Sequence, residues 1–174
     1  MNTEVSSRPL SDMEVWRRYC LVQAHLMGYL ARQLTRATGL SEADFQVLDA
    51  LLDAPGQRAR ARELRWTLQW EKSRLSHQLR RMVARGLIDR QACAEDARGA
   101  NVVLTDAGRE AARRARQVRE ESLRAIVFDT LGPEHMVHLH EVTTLLADRL
   151  ARAAQEDPDC LAAYREAFEA DEGA

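Results

Sequence analysis

The sequence contains little glycine and proline, eight and four residues among 174, and it lacks any long apolar run. Its apolar residues recur at steps of three and four rather than in alternation, so we expect a mostly helical chain. No run approaches the roughly eighteen apolar residues that a membrane-spanning helix needs. No basic segment followed by an apolar core begins the chain. These absences favour a soluble, cytoplasmic protein without a membrane partner.

Cysteine is also scarce. Cys20, Cys93 and Cys160 are an odd number at unrelated spacings, which argues against a disulfide framework and against a four-ligand zinc site. The sequence has no nucleophile elbow, no phosphate loop and no paired acid and base that stand out. We therefore expect a protein of a reducing compartment that is not an enzyme and holds no metal and no cofactor.

Positive charge is concentrated in one part of the chain. The formal net charge is -2, yet residues 57–100 hold eleven Arg or Lys against five Asp or Glu, a local +6 that leaves -8 for the remainder. A basic segment in an otherwise acidic chain is typical of a surface that meets nucleic acid. The length, with 45% hydrophobic residues, suffices for one domain with a substantial core.

Residues 71–104 are predicted to form a polar, basic helix followed by a short hairpin. Gly86 follows the helix, and a residue without Cβ can take the left-handed conformation that ends one. The strand begins directly after it, at Leu87 and Ile88. The apolar stripe of the helix consists of Leu75, Leu79, Met82 and Val83.

A second, shorter helix is predicted at residues 59–69. Only a tight turn around Gln69 and Trp70 separates it from the helix that begins at Glu71. Two short helices joined in this way, followed by a hairpin, are the arrangement of a winged helix-turn-helix. The buried stripe of the shorter helix is expected to consist of Ala61, Leu64 and Leu68.

Long helices are predicted on both sides of this core. One runs from Leu10 to about Thr38 and ends at Gly39, and another follows a Thr105 cap from residue 106 to about residue 130. Gly132-Pro133-Glu134 then begins a third, because proline is favoured at the first helical position. Helices this long in a small domain are seldom buried by their own chain alone, which predicts a partner subunit.

A capping box at Ser41 and Asp44 predicts one more helix, which ends before Pro55. Its inward residues are expected to be Phe45, Leu48, Leu51 and Leu52. The predicted organisation is a flexible arm (1–9), a single domain (10–153) and an acidic tail (154–174), where Leu161, Tyr164 and Phe168 fit a short helix. Within the domain, the winged helix-turn-helix spans about 41–105, between dimerisation helices of about 10–38 and 106–153.

Three connected stretches resemble the MarR family of bacterial transcription regulators across roughly residues 12–152. EKSRLSHQLRRMVARGLI is similar to the recognition helix of the family, and EDARGANVVLTDAGR resembles its wing. Long helices flank both. The resemblance implies a homodimer whose terminal helices intertwine and hold two winged helix-turn-helix lobes against a pseudo-palindromic operator in double-stranded DNA.

The resemblance and the physical character of the helix nominate the same DNA-binding residues. Ser and Arg near a helix N-terminus can hydrogen-bond base edges and phosphates in the major groove. At the wing, Arg98 would enter the minor groove and Asp96 would orient it, although the two could also be an ordinary surface pair. A solvated helix face is the alternative for the arginines. The helix candidates are Ser73, Arg74, Ser76 and His77 for bases or phosphates, and Lys72 and Arg80 for phosphates.

Aromatic side chains could line a cleft between the dimer helices and the DNA-binding lobe, where the family often binds small aromatic or phenolic effectors. Core packing is the expected role for most of them. These residues are Trp16, Tyr19, Tyr29, Phe45 and Trp66.

Cys20 and a group of histidines leave a different kind of sensing open. Cys20 lies on the first helix, as sensor cysteines do in some members of the family, but its surroundings do not match and an inert thiol is the expected role. His135 and His138 stand three residues apart on a helix, with His140 nearby. Without a constellation of further ligands, exposed helix residues are the default reading.

The leading hypothesis is a homodimeric, sequence-specific DNA-binding transcription regulator, a repressor that a small-molecule effector releases. Two alternatives stay open at this point. One is a helical protein-interaction module that does not bind DNA, and the other is a regulator that responds to oxidants or metals.

Overall fold

The computed structural model describes residues 9–92 and 100–157. Most of the predicted arm, the wing residues Asp96 and Arg98, and the predicted tail helix at residues 161–168 lie outside the described residues. The elements are α1 (Asp12–Thr38), α2 (Glu42–Asp53), β1 (Arg58–Arg60), α3 (Ala61–Leu68), α4 (Lys72–Ala84), β2 (Ile88–Ala92), β3 (Ala100–Leu104), α5 (Asp106–Leu123), a π-helical segment (Arg124–Phe128) and α6 (Asp129–Glu156).

The predicted mostly helical chain with a hairpin wing is confirmed, and a third strand joins the hairpin. β2 and β3 pair antiparallel, from Ile88 opposite Leu104 to Ala92 opposite Ala100. β1 adds to the other edge of β3, so that the strand order is β1-β3-β2. The prediction of a short helix from residue 59 is wrong at its start, because residues 59 and 60 belong to β1 and α3 begins at Ala61. A three-residue strand is too short to show a periodicity, and it forms here because β3 offers a free edge.

The helix boundaries follow their capping residues. Ser11 and Glu14 form a capping box, so α1 begins at Asp12, two residues later than predicted. The predicted box at Ser41 and Asp44 is present at the start of α2. At the end of α4, Gly86 adopts a φ of 67°, and the Leu87 amide donates to the Met82 carbonyl at 3.0 Å. This bond is the closing one of a Schellman motif, so Gly86 ends the helix as predicted.

The hydrophobic core lies between α2, α3, α4, the sheet and the first turns of α5. Most of the predicted inward residues are buried or half-buried, but two are not. Val83 is 38% exposed, and Ala61 is exposed in the first turn of α3. Val83 lies about 80° around the helix from Leu75, at the margin of the stripe. The polar residue Gln78 takes the place that we gave to Val83 and is only 1% exposed.

The last two long helices join at an irregular segment. The helix that begins at Asp106 passes through the π-helical turns at Arg124–Phe128 before α6, and Gly132 (φ 66°, ψ 175°) breaks α6 near its start. The predicted restart at Gly132-Pro133 is therefore at the right place. None of the helices in the described part of the chain is long and apolar enough to cross a membrane.

The start of α5 packs directly on the chain that leaves α4. The Thr105 hydroxyl accepts from the Gly108 amide (2.9 Å) and donates to the Gly86 carbonyl (2.7 Å). Gly108 lies so close to Leu87 that a Cβ on it would stand 1.8 Å from the Leu87 carbonyl oxygen. The base of the hairpin and the first turn of α5 are thereby held in contact.

We predict that Gly108→Ala lowers the free energy of unfolding by about 3 kcal/mol, because the added methyl group overlaps rigid backbone atoms. Urea denaturation followed by circular dichroism measures this change. Gly28→Ala is the matched control: it also lies within a helix, and its Cβ would meet only the flexible end of Arg32. The control should be neutral or slightly stabilising, and an equal loss for both variants would contradict the packing argument.

Candidate nucleic-acid interface

The exposed face of α4 carries all six helix residues that we predicted for DNA binding. These residues are Lys72, Ser73, Arg74, Ser76, His77 and Arg80, and each is exposed. The opposite face places Leu75, Gln78, Leu79 and Met82 in the interior. Glu71 provides no side-chain cap, so side chains do not occupy the first free amides of α4 and an anion can reach them.

Two of the cations on this face have aromatic partners. The Arg74 guanidinium lies over the Trp70 ring, 4.1 Å from its centroid. An Arg80 guanidinium nitrogen lies 2.9 Å from Nδ1 of His77. Both pairs are local contacts within or beside α4. They orient the Arg74 and Arg80 side chains in the structure without DNA.

The predicted interface also includes two residues of the wing. Asp96 and Arg98 lie outside the described residues. The flanking strands β2 and β3 nevertheless define where that segment leaves and rejoins the sheet. The roles of both residues stay predictions.

A buried polar cluster around Asp44 fixes α4 against the rest of the lobe. Of its contacts, the sequence predicted only the Ser41–Asp44 capping box. One carboxylate oxygen of Asp44, itself 2% exposed, accepts from Gln78 Nε2 at 2.7 Å. The other accepts from Arg85 Nη1 at 2.7 Å and from the Ser41 amide and hydroxyl at 2.9 and 2.8 Å. Arg81 in turn donates to Gln78 Oε1. Gln78 and Arg85 lie 34 and 41 residues from Asp44, so no local pattern shows these two contacts. The one sequence signal for them was a glutamine inside the apolar stripe of α4.

These contacts change the acidity of Asp44. Burial by itself would raise the pKa of this carboxyl, but the hydrogen bonds from Ser41 and Arg85 together outweigh burial and lower the pKa below its ordinary value. The ionised form is therefore the one that holds α4 in place.

Arginines of α5 form a second set of contacts, between the predicted dimerisation helix and α2. Arg116 pairs with Asp49 (2.7 Å) and Asp53 (2.9 Å). Burial opposes the charge of Arg116, yet the bonds to both carboxylates raise its pKa above the ordinary value. Arg119 pairs with Glu42 and lies over the Phe45 ring at 4.8 Å. These contacts join α5 to α2.

The five aromatic residues predicted for an effector do not meet in one chain. Trp16 and Tyr19 are exposed on α1, with ring centroids 5.4 Å apart. Tyr29 and Trp66 are half-buried, and Phe45 is buried. A groove of about 540 Å³ between α2, residues 55–59 and α3 includes Phe45 as the single member of the five in its lining.

The candidates for redox or metal sensing stand apart from this face. Cys20 is a free, exposed thiol on α1. The rings of His135 and His138 are 6.4 Å apart on α6, and His135 Nδ1 lies 3.0 Å from the Leu131 carbonyl oxygen. Within residues 9–92 and 100–157, no three potential ligands gather into a group that could hold a metal ion.

We predict that Asp44→Asn lowers the free energy of unfolding by about 2 kcal/mol at pH 7, because charge-assisted hydrogen bonds are lost. A lowered folded-state pKa stabilises the fold above the ordinary pKa of Asp, and this contribution is lost as the pH falls through the lowered value. The difference between variant and wild type in urea denaturation should therefore shrink at about pH 3. Asp106→Asn, at a fully exposed carboxylate, is the control. A difference that does not vary with pH would exclude this account of Asp44.

Comparison with known proteins agrees with the geometry. A sequence model of the MarR family matches residues 38–99. Sco3205, a MarR family transcriptional regulator from Streptomyces coelicolor solved in complex with DNA, is 34% identical with a TM-score of 0.74, over 82% of this chain and 91% of that one. AbsC, a MarR family transcriptional regulator from the same organism, is 33% identical with a TM-score of 0.74, over 83% and 99%.

A more distant match shares the fold. RdhR-CbdbA1625, an organohalide-sensing transcriptional regulator in its 2,4-dichlorophenol-bound form, is 18% identical with a TM-score of 0.67, over 84% of this chain and 89% of that one. Among curated protein sequences, none matches the chain. With a third of its residues identical to two regulators over most of their length, and with the α4 face and wing strands in place, this chain belongs to the MarR family of transcriptional regulators.

Proposed function

We propose that the protein is a homodimeric, sequence-specific DNA-binding regulator that represses its target genes and leaves its operator when a small effector binds. The observation that carries this proposal is the exposed basic and hydroxyl-bearing face of α4, next to a helix N-terminus without a side-chain cap. This face and the family assignment favour the proposal over an interaction module that does not bind DNA. Such a repressor would act in the cytoplasm, where a bacterial chromosome lies.

The proposed DNA complex places the first turns of α4 in the major groove. Ser73, Arg74, Ser76 and His77 would contact base edges or phosphates, since short hydroxyls and planar cations reach both. Lys72 and Arg80 would contact phosphates, and Arg98, oriented by Asp96, would enter the minor groove. A relative that is 34% identical was solved in complex with DNA, which supports DNA binding by this chain.

A homodimer is proposed because two helices carry large apolar side chains that the single chain leaves uncovered. Leu145 and Leu150 on α6 are 71% and 69% exposed, and contiguous patches of this kind mark interaction surfaces. A twofold dimer would present two copies of α4 to the halves of a pseudo-palindromic operator. The exposed apolar residues are Met13, Val15, Trp16, Tyr19, Leu21, Val22 and Met27 on α1, and Val137, Leu139, Val142, Leu145, Leu146 and Leu150 on α6.

The proposed effector is a small aromatic or phenolic molecule, as the dichlorophenol-bound relative suggests. Phe45 and the adjacent groove form the part of such a site that one chain contains, and Trp16, Tyr19, Tyr29 and Trp66 are the remaining candidates. Because Arg116 and Arg119 tie α5 to α2 beside Phe45, a molecule bound there would alter the position of the lobe relative to the dimer helices.

Titration of the protein into labelled DNA from around its own gene tests DNA binding by fluorescence anisotropy. We expect sequence-selective binding that weakens with salt, because phosphate contacts release counterions. Arg98→Ala should weaken it by about ten-fold, as expected for one lost groove contact. Phenols added to the complex in the same assay should lower the anisotropy, which reports release.

Arg113→Ala is the matched control, because it removes one exposed arginine from α5 instead of the wing. It should bind DNA like the wild type. Binding that is indifferent to salt, sequence and Arg98 would overturn the DNA-binding proposal. If the protein stays bound to DNA at saturating concentrations of each phenol tested, only the proposed release by an effector is rejected.

The dimer is tested by Leu146→Glu, which places a charge in the apolar stripe of α6. We predict that the dimer dissociation constant rises by about a hundred-fold, because an unpaired carboxylate would be buried at the interface. Sedimentation velocity measures the change. DNA affinity should fall with it, since two half-sites are then bound independently.

Thr144→Glu serves as the control, since residue 144 lies about 160° around the helix from residue 146 and is equally exposed. It should leave the dimer intact. A monomeric wild type at micromolar concentration, or equal effects of both variants, would contradict the proposed interface.

A further inference from the structure

Trp70 occupies the turn between α3 and α4 and is anchored in the core. The residue is only 7% exposed and packs with the buried cluster of the lobe. The preceding residue, Gln69, adopts a positive φ of 53°, and the Trp70 amide donates to the Arg65 carbonyl at 3.0 Å. The hydrogen-bonded backbone and the burial of the side chain together hold Trp70 in place just before α4.

The Arg74 guanidinium lies over one face of that indole. Arg74 lies one helical turn after Trp70, is itself exposed, and holds its guanidinium carbon 4.1 Å from the ring centroid. At this distance a guanidinium is attracted to the face of the ring. A guanidinium held over a ring by its flat face keeps the N–H donors at its edge available for other acceptors.

Arg74 differs in this respect from the other arginines at and near α4. Arg80 approaches His77, Arg81 donates to Gln78, and Arg85 pairs with Asp44. Arg74 makes no hydrogen bond or ion pair with any residue in the described ranges, and its guanidinium lies over the Trp70 ring. On this face, Arg74 is therefore the arginine that a ring contact orients and whose N–H groups remain available to donate hydrogen bonds.

We propose that Trp70 is a positioning residue for DNA binding: it holds the Arg74 guanidinium in the orientation in which its N–H edge engages a pair of acceptors on DNA. Such acceptors are the O6 and N7 atoms of a guanine or two phosphate oxygens. A side chain ordered before binding loses less conformational entropy on binding. The inference rests on the proposed contact of α4 with DNA.

A double-mutant cycle with Trp70→Leu and Arg74→Ala tests the inference by anisotropy on the bound DNA fragment. Trp70→Leu alone should weaken binding by about five-fold, the loss expected when one long side chain must be ordered on binding. In the Arg74→Ala background, Trp70→Leu should cause no further loss. In the matched Arg80→Ala background, it should still cause the full loss, because Arg80 does not contact the ring.

A scrambled DNA fragment distinguishes the two kinds of acceptor. If Arg74 engages a guanine, Arg74→Ala should reduce the preference for the specific fragment. If it engages phosphates, Arg74→Ala should weaken both fragments equally and reduce the salt dependence by about one ion.

Thermal denaturation checks that each variant folds. If Trp70→Leu is unstable, Trp70→Phe takes its place in the double-mutant cycle. Phenylalanine keeps an aromatic face, so Trp70→Phe should bind DNA more tightly than Trp70→Leu, and any loss it causes should vanish in the Arg74→Ala background. Losses that simply add in the double variants would overturn the positioning role while leaving DNA binding by α4 intact. An Arg74→Ala variant that binds as the wild type does would remove Arg74 from the proposed interface itself.

Discussion

The carboxylate of Asp44 is the contact on which the geometry of the lobe depends. It accepts from the cap of its own helix, from Gln78 in the middle of α4 and from Arg85 just after α4. A buried carboxylate with fewer partners would be destabilising, so its bonds must form together. Because they reach α4 at two points almost two turns apart, they define both the rotation of the helix and its distance from α2. The polar face is directed outward as a consequence.

Arginine has three distinct roles among the described residues. Arg85 pairs with the buried carboxylate of Asp44, and Arg116 and Arg119 join α5 to α2. The Arg74 guanidinium lies over the Trp70 ring and donates no hydrogen bond within the described ranges. The planar, permanently charged guanidinium suits all three tasks, where a lysine would supply only a point charge. The basic segment is therefore only partly available to a polyanion, since the charge of Arg85 is neutralised by Asp44 within the lobe.

The features that could be predicted from sequence are those encoded by neighbouring residues. The caps at Ser41 and Thr105, the helix end at Gly86 and the restart at Gly132 depend on a few adjacent side chains, and the structure has each in place. Two features depend on distant partners and were missed: β1 exists because β3 is beside it, and Gln78 is buried because Asp44 bonds to it. The contact of Arg74 with the Trp70 ring is local, but it depends on the burial of Trp70 in the core, which the sequence pattern does not show.

The close approach of Gly108 to Leu87 determines how a rotation of α5 reaches the wing. The first turn of α5 touches the Leu87 backbone with no space for a methyl group between them, and the Thr105 hydroxyl bonds across the same junction. Atoms this close cannot slide along one another without overlap. α5 and the base of the wing must therefore rotate as one rigid body. In the proposed dimer, the angle between the two copies of α5 would then set the separation of the two wings.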